Sequence, residues 1–352
     1  MAEEPCRHRG RHRARRGTGV RAGLVESAPN TRRIGMRALA FLFAALVSFT
    51  AVAQPWPQKP VKFIVPFPPG GATDIAARLV GEQLTRIWGQ SVIVENRGGA
   101  GGGVGAAEAA RAAPDGYTLF FPSGSVMTAN QYVYASLNYD PEKDFAPVTV
   151  VVSGPQVLVV QASLPYRTVK DLLDAARAQP GKLTFGSAGI GSQTHLAVEN
   201  LLYQAKLDAV HVPYKGEGPG LASLVAGEIT FMMTNVAAAM VHINSGRLRA
   251  LGVTSRDEIP QLPGVPPIGK TLKGFENSGW FGIVAPSGTP KDVIAKVYRD
   301  TKKALEDTHL KARLYAQGLF PVANTPQEMA KAMKEETALW RTVVRERNIH
   351  VK

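Results

Sequence analysis

Val65-Pro66-Phe67-Pro68-Pro69-Gly70-Gly71-Ala72-Thr73-Asp74 is the most informative stretch of this 352-residue chain. An apolar run, Val61 to Val65, precedes it with the pattern of a buried strand, and a helical pattern follows it to about Trp88. A strand therefore ends in a proline-stiffened, glycine-rich loop that opens a helix. Such a junction presents backbone N–H groups without intrahelical partners at the positive end of a helix dipole, which suits an anion. The loop itself has no lysine or arginine. The expected ligand is a small anion held by backbone, and the expected task is binding, with no chemistry performed.

Downstream the same grammar repeats. Strand-like runs are expected at 92–95, 118–121, 157–160, 183–185, 209–212, 230–233, 248–253 and 282–284. Helical patterns lie between them at 104–112, 169–178, 194–204, 220–226 and 237–244, and the chain ends helical at 291–306 and 327–347. Short apolar runs separated by helices imply α/β domains with parallel, doubly wound sheets. Prolines interrupt the pattern at 139–155, and prolines with glycines do so at 260–279. Both places suit crossings between domains. The expected division is 54–155 plus 276–352 as domain 1, and 156–275 as domain 2.

A second strand–glycine loop–helix junction, Gly186 to His195, contains Ser187, Ala188, Gly189 and Ser192. Two such loops at the carboxyl ends of strands are the place where open α/β sheets bind ligands. Val212-Pro213-Tyr214-Lys215-Gly216 is a third strand end. Tyr214 there offers a hydroxyl or ring face and Lys215 a charge, or the segment is a turn with a surface lysine. Asp74 reads as a candidate base, but more simply as a brace accepting backbone N–H bonds.

Other motifs lose on inspection. Gly264 to Thr271 matches the phosphate-loop spelling, yet Pro266 and Pro267 have no N–H to offer a phosphate. Gly101 to Ala106 fits a loose dinucleotide pattern, but Ser123-Gly124-Ser125 stands where the ribose-binding carboxylate belongs. Ser192 with His195 would be the pair of a hydrolase on this fold, without the G-x-S-x-G signature or an orienting acid. No metal-ligand spacing is visible. Neither a cofactor nor a metal is expected, and the chain reads as no enzyme.

The net charge of +13 is concentrated at the start of the chain. Residues 1–53 hold ten arginines against three glutamates, a net of +7, leaving a mildly basic remainder of +6. No basic stripe with interleaved aromatics points to nucleic acid. Met36-Arg37 precedes a 16-residue apolar run, 38–53, that ends Ala51-Val52-Ala53. That describes a secretory signal peptide over 36–53, cleaved after Ala53. Residues 1–35 then read as an upstream extension from a misplaced start. The single cysteine, Cys6, lies in that extension, so the mature protein would have no disulfide. A cysteine-free exported protein suits a bacterial periplasm.

Together these residues resemble one family. The stretches are Pro66 to Asp74, Val94 to Gly102, Pro114 to Leu119, Ser187 to His195, His211 to Gly216 and Ala285 to Pro290. The chain, from about Trp56 onward, is similar to the Bug family of periplasmic solute receptors, the binding components of tripartite tricarboxylate transporters. The resemblance implies a type II periplasmic-binding-protein fold, two α/β domains with a ligand cleft between them. It implies a small organic carboxylate gripped between Phe67, Gly70, Gly71, Ala72, Thr73 and Asp74 on one side and Ser187, Ala188, Gly189, Ser192 and His195 on the other. Ser123, Tyr214 and Asn235 are expected to discriminate among ligands. The implied partner is the membrane permease of such a transporter, or else a sensor kinase, with the receptor a monomer. Gly98-Gly99 replaces the family's usual Pro-Gly, and Asn130-Gln131 its frequent Asn-Pro.

Overall fold

A computed structural model of the chain describes residues 56–346 and 348–351. The expected signal peptide and upstream extension lie outside the described residues. Among the described residues, no helix is long and apolar enough to cross a membrane.

The first half begins as read. Strand β1 (Val61–Val65) has Val61, Phe63, Ile64 and Val65 all buried, as a strand covered on both faces requires. It pairs in parallel with β2 (Val92–Asn96) and β3 (Thr118–Phe120). Helix α1 (Ala72–Trp88) packs against β1 with Ala76, Ala77, Val80, Leu84 and Trp88, an apolar face at helical spacing. It stops at Gly89, whose φ of 64° lets its N–H reach back to the Thr85 carbonyl. Helix α2 (Gly103–Ala110) returns the chain to β3, and two short helices, α3 (Gly124–Thr128) and α4 (Asn130–Val133), follow. Neither α3 nor α4 is visible in the sequence pattern.

The largest departure from expectation is β4 (Phe145–Gln161), a single 17-residue strand where prolines predict a break. Its first part, from Phe145 to Pro155, pairs antiparallel with β9 (Ser278–Pro286). Its last part, from Gln156 onward, pairs antiparallel with β7 (Phe231–Asn235) and β8 (Leu248–Val253). The register against β9 shifts beside Pro147, where a bulge tolerates a residue without an N–H. The chain thus passes between lobes inside a strand, and no linker is used.

Beyond it the second lobe repeats the first. Helix α5 (Val169–Ala178) leads to β5 (Thr184–Ser187), α6 (Gln193–Ala205), β6 (Val210–Pro213), α7 (Glu217–Ala226) and, past β7, α8 (Val236–Asn244). The first sheet runs β2-β1-β3-β9-β4 and the second β6-β5-β7-β4, with β8 on the far side of β4. Expectation of wholly parallel sheets fails at β9 in the first sheet and at β4 in the second: the strand that enters each lobe runs against its three parallel ones, and the strand that leaves it, β4 or β8, runs with them. Alternation along β4 feeds both faces of the second sheet. Leu158 and Val160 pack with α5 and α6, and Val157 and Val159 with α7 and α8. Helices α9 (Lys291–Glu306), α10 (Thr308–Ala316) and α11 (Pro326–Glu346) cover the first lobe, and a short β10 (Phe320–Pro321) pairs with β4.

Candidate functional site

Five strand ends converge on one small cavity. The junctions after β1, β3, β5, β6 and β7 supply Phe67, Gly71, Thr73, Ser123, Ala188, Ser192, Glu217 and Asn235 to its lining, and Gln193, Thr194 and Phe281 complete it. At about 20 Å³ the cavity has room for about one water molecule. An organic acid therefore enters only if the lobes separate or a lining side chain leaves.

The first loop is braced as a unit. Asp74, 4% exposed, accepts from the Gly70 N–H at 3.1 Å, from Asn96 Nδ2 at 2.9 Å and from Arg78 Nε. Asn96 also donates to the Phe67 carbonyl at 2.8 Å. Gly70 has a φ of 88°, which a residue with a Cβ rarely adopts. Asp74, Gly70 and Ala72 thus shape the loop, and the side chain of Asp74 is tied to Arg78 and Asn96, away from the cavity lining.

The second loop is organised by hydroxyls. Ser192 caps α6, its Oγ accepting from the His195 N–H at 3.3 Å and lying 3.1 Å from Thr194 Oγ1. Thr194 Oγ1 accepts from the Ala188 N–H at 2.9 Å. The first-turn N–H groups of Gln193 and Thr194 have no intrahelical acceptor, and both residues line the cavity. With its amide oriented so that Oε1 accepts from the N–H groups of Gly279 and Trp280, Gln193 spans from α6 to β9.

The histidines lie behind this loop. His195 Nδ1 accepts from the Gly191 N–H at 3.2 Å, and its Nε2 lies 3.5 Å from Glu199. Its ring therefore makes no bond to Ser192. Ser187 instead pairs with His211 Nε2 at 2.7 Å. The His211 ring stacks against those of both Phe185 and His195, with centroids 4.7 and 3.9 Å away. Burial, and then the neighbouring His195, push His211 down to about 3. Ser187, Gly189 and His195 shape the loop from outside the cavity. Tyr214 also lies outside it. Its ring packs over Gly186 and Gly220, and its N–H donates to the Ser187 carbonyl.

Glu217 is the group that sequence reasoning missed. It opens α7 and is 6% exposed. Oε1 accepts from Thr234 Oγ1 at 2.8 Å, the Asn235 N–H at 2.7 Å and Asn235 Nδ2 at 2.9 Å. Oε2 accepts from the Ala72 N–H at 3.0 Å. A carboxylate thus sits on amide donors from the first glycine loop and from the end of β7, one in each lobe. Among the described residues it is the only ionisable side chain lining the cavity. An acidic residue directly after the Tyr214-Lys215-Gly216 run was the available signal.

The lobes also meet beside the cavity. Tyr134 donates to the Ile190 carbonyl at 2.6 Å, and Gly101 lies so close that an added Cβ would strike Ile190 O and the Tyr134 hydroxyl. The glycine run that spells a loose dinucleotide motif is therefore a close-packing turn against the second loop.

Comparison with known proteins accords with this geometry. Residues 76–349 match the family described as "Tripartite tricarboxylate transporter family receptor". Protein BugT of Bordetella pertussis is 35% identical over 316 residues, 89% of this chain and 96% of its own. The solved structure of the periplasmic binding protein BugD superposes with a TM-score of 0.81 at 30% identity, covering 84% of this chain and all of BugD. An R. palustris protein, Rpa4515, solved with adipate, gives 0.82 at 33% identity over the same shares. BugD is a periplasmic binding protein, and the fold that it and Rpa4515 share with this chain is the two-domain architecture described above. The chain belongs to the tripartite tricarboxylate transporter receptor family, that of the Bug proteins.

Proposed function

We propose that this protein is a periplasmic receptor that captures a small organic carboxylate by closing its two lobes over it. It hands the ligand to the membrane permease of a tripartite transporter. One observation carries the reading: donors from both lobes hold a carboxylate, that of Glu217, in the cleft. The same cavity presents the N-terminus of α6, where a ligand carboxylate meets two first-turn N–H groups and the helix dipole. Phe67, Gly71, Thr73, Ser123, Ala188, Ser192 and Asn235 are the contacts we assign to the ligand, with Gln193 and Thr194 added. The relative solved with adipate supports a carboxylate ligand.

Residues 54–155 with 276–352 form one lobe and 156–275 the other, with Gln156, Thr254 and Asn277 tied together at the crossing. The chain is exported by a signal peptide ending near Ala53, which is then cleaved, and the mature receptor is a monomer. Closure traps the ligand because it contacts both lobes, so its differential affinity for the closed form shifts the open–closed equilibrium. A thermal-shift screen over organic acids tests this. Ligand at 100 times its dissociation constant stabilises the protein by about 2.7 kcal/mol. A melting temperature that no carboxylate moves would refute the receptor reading.

A further inference from the structure

We infer that Glu217 is the specificity-determining residue of the cleft. It admits an organic acid with one carboxylate and a positively charged, proton-donating group at its other end, and it bars a second carboxylate. The inference rests on the receptor reading above and names the ligand class of the same site.

Glu217 is held too well to be a casual lodger. Its four hydrogen bonds come from Ala72 on one side and from Thr234 and Asn235 on the other. It also stands in the first turn of α7, where a negative charge is favoured. A ligand carboxylate taking its place would have to replace four intramolecular bonds with intermolecular ones. It would also leave Glu217 to find new solvation. The donors that a second carboxylate would use are thus already occupied.

Nothing in the lining offsets the resident charge. The other lining groups are neutral: amides, hydroxyls, Phe67 and Phe281. Asp74, the next buried carboxylate, is neutralised by Arg78. A dicarboxylate would bring two charges beside Glu217 into a water-poor site, where like charges repel strongly. A ligand ammonium avoids this. Oε2 accepts a single protein bond, from Ala72, and a carboxylate oxygen has capacity for another. The ligand's own carboxylate then lies at the start of α6, against the N–H groups of Gln193 and Thr194. The bound state carries a net charge of −1, one ammonium between two carboxylates, where a dicarboxylate beside Glu217 would make it −3.

The experiment is isothermal titration of the native protein, Glu217→Gln and Glu217→Ala with pairs matched in length. Each pair is a dicarboxylate and the acid in which an ammonium replaces one carboxylate: succinate with β-alanine, glutarate with γ-aminobutyrate, adipate with δ-aminovalerate. The native protein should bind the amino acid of at least one pair about tenfold or more tightly than its dicarboxylate. Glu217→Gln should abolish that preference. Glu217→Ala, which frees the Ala72 and Asn235 donors, should raise dicarboxylate affinity by about tenfold or more. Dicarboxylate binding gained by either variant where the native protein binds neither member also supports the inference. The inference falls, and the receptor reading stands, if the native protein binds the dicarboxylates as tightly as the amino acids or if both variants keep the native preference. If neither the native protein nor any variant binds any of the six, the inference falls, and the receptor reading is decided by the thermal-shift screen.

Discussion

Gly279 shows how a single backbone position can shape the cleft wall. Its N–H, with that of Trp280, donates to the Gln193 side chain, and a Cβ at position 279 would run into that amide. Gly279→Ala should therefore leave β9 folded but push Gln193 out of the cleft wall. We expect ligand affinity to fall by about tenfold, read by calorimetry, with a melting temperature close to native. His211 makes a second prediction at this scale. It is held at about 3 in the folded protein, below its ordinary value of 6.5. Folding therefore favours the neutral ring. That contribution is complete above pH 6.5 and is lost as pH falls towards 3, because only the unfolded chain takes up the proton. The slope is at most about 1.4 kcal/mol per pH unit. Denaturant melts between pH 7 and 4 should show it, and His211→Gln should flatten it. Of the site residues, the two glycine loops were legible because glycine and proline punctuate a sequence. Glu217 was not, since its partners come from positions 72, 234 and 235, and a single buried carboxylate looks like any helix-start glutamate until those donors are brought together.

Helix starts divide into structural and functional ones. Thr168 and Asp171 form a reciprocal capping box on α5, exposed and far from the cleft in sequence. Ser192 caps α6 at the cavity. Thr168→Ala and Ser192→Ala should each cost about 1 kcal/mol of stability. Only Ser192→Ala should also weaken ligand binding, since it loosens the turn that aims the Gln193 and Thr194 N–H groups. Parallel melts and titrations of the two variants check the contrast. Elements with a clean period were readable to within a few residues: α5, β8 and α9 match their predicted bounds. Strand β4 was half hidden because Pro147 and Pro155 mimic a loop, and α3 and α4 because five and four residues are too few to show a period. Proline is a reliable sign of a missing N–H, and a less reliable sign of a missing strand.

Across the whole molecule, the closure proposed above depends on bonds that run from lobe to lobe. Tyr134 donates to Ile190 O at 2.6 Å, and burial pushes its hydroxyl up to about 12, so it stays a donor throughout the physiological range. Tyr134→Phe removes that bond while keeping the ring. One neutral hydrogen bond is worth about 1 kcal/mol, so affinity should drop about fivefold. Small-angle scattering should show a larger radius of gyration without ligand.

The continuous β4 also bears on modularity. Proteins of two domains are usually divisible at a linker, and each half can then be studied or exchanged alone. Here a cut between Pro155 and Gln156 severs one strand that serves two ladders, and residues 156–275 would also lose Asn277, just before β9, whose side chain donates to that of Gln156. A fragment spanning 156–275 should therefore aggregate on expression. A chimera that borrows this half from a relative must be spliced inside β4 and again beside Asn277, in matching register at both seams. Ligand preference in this architecture is thus more readily altered by single side chains on the cleft wall than by trading whole domains.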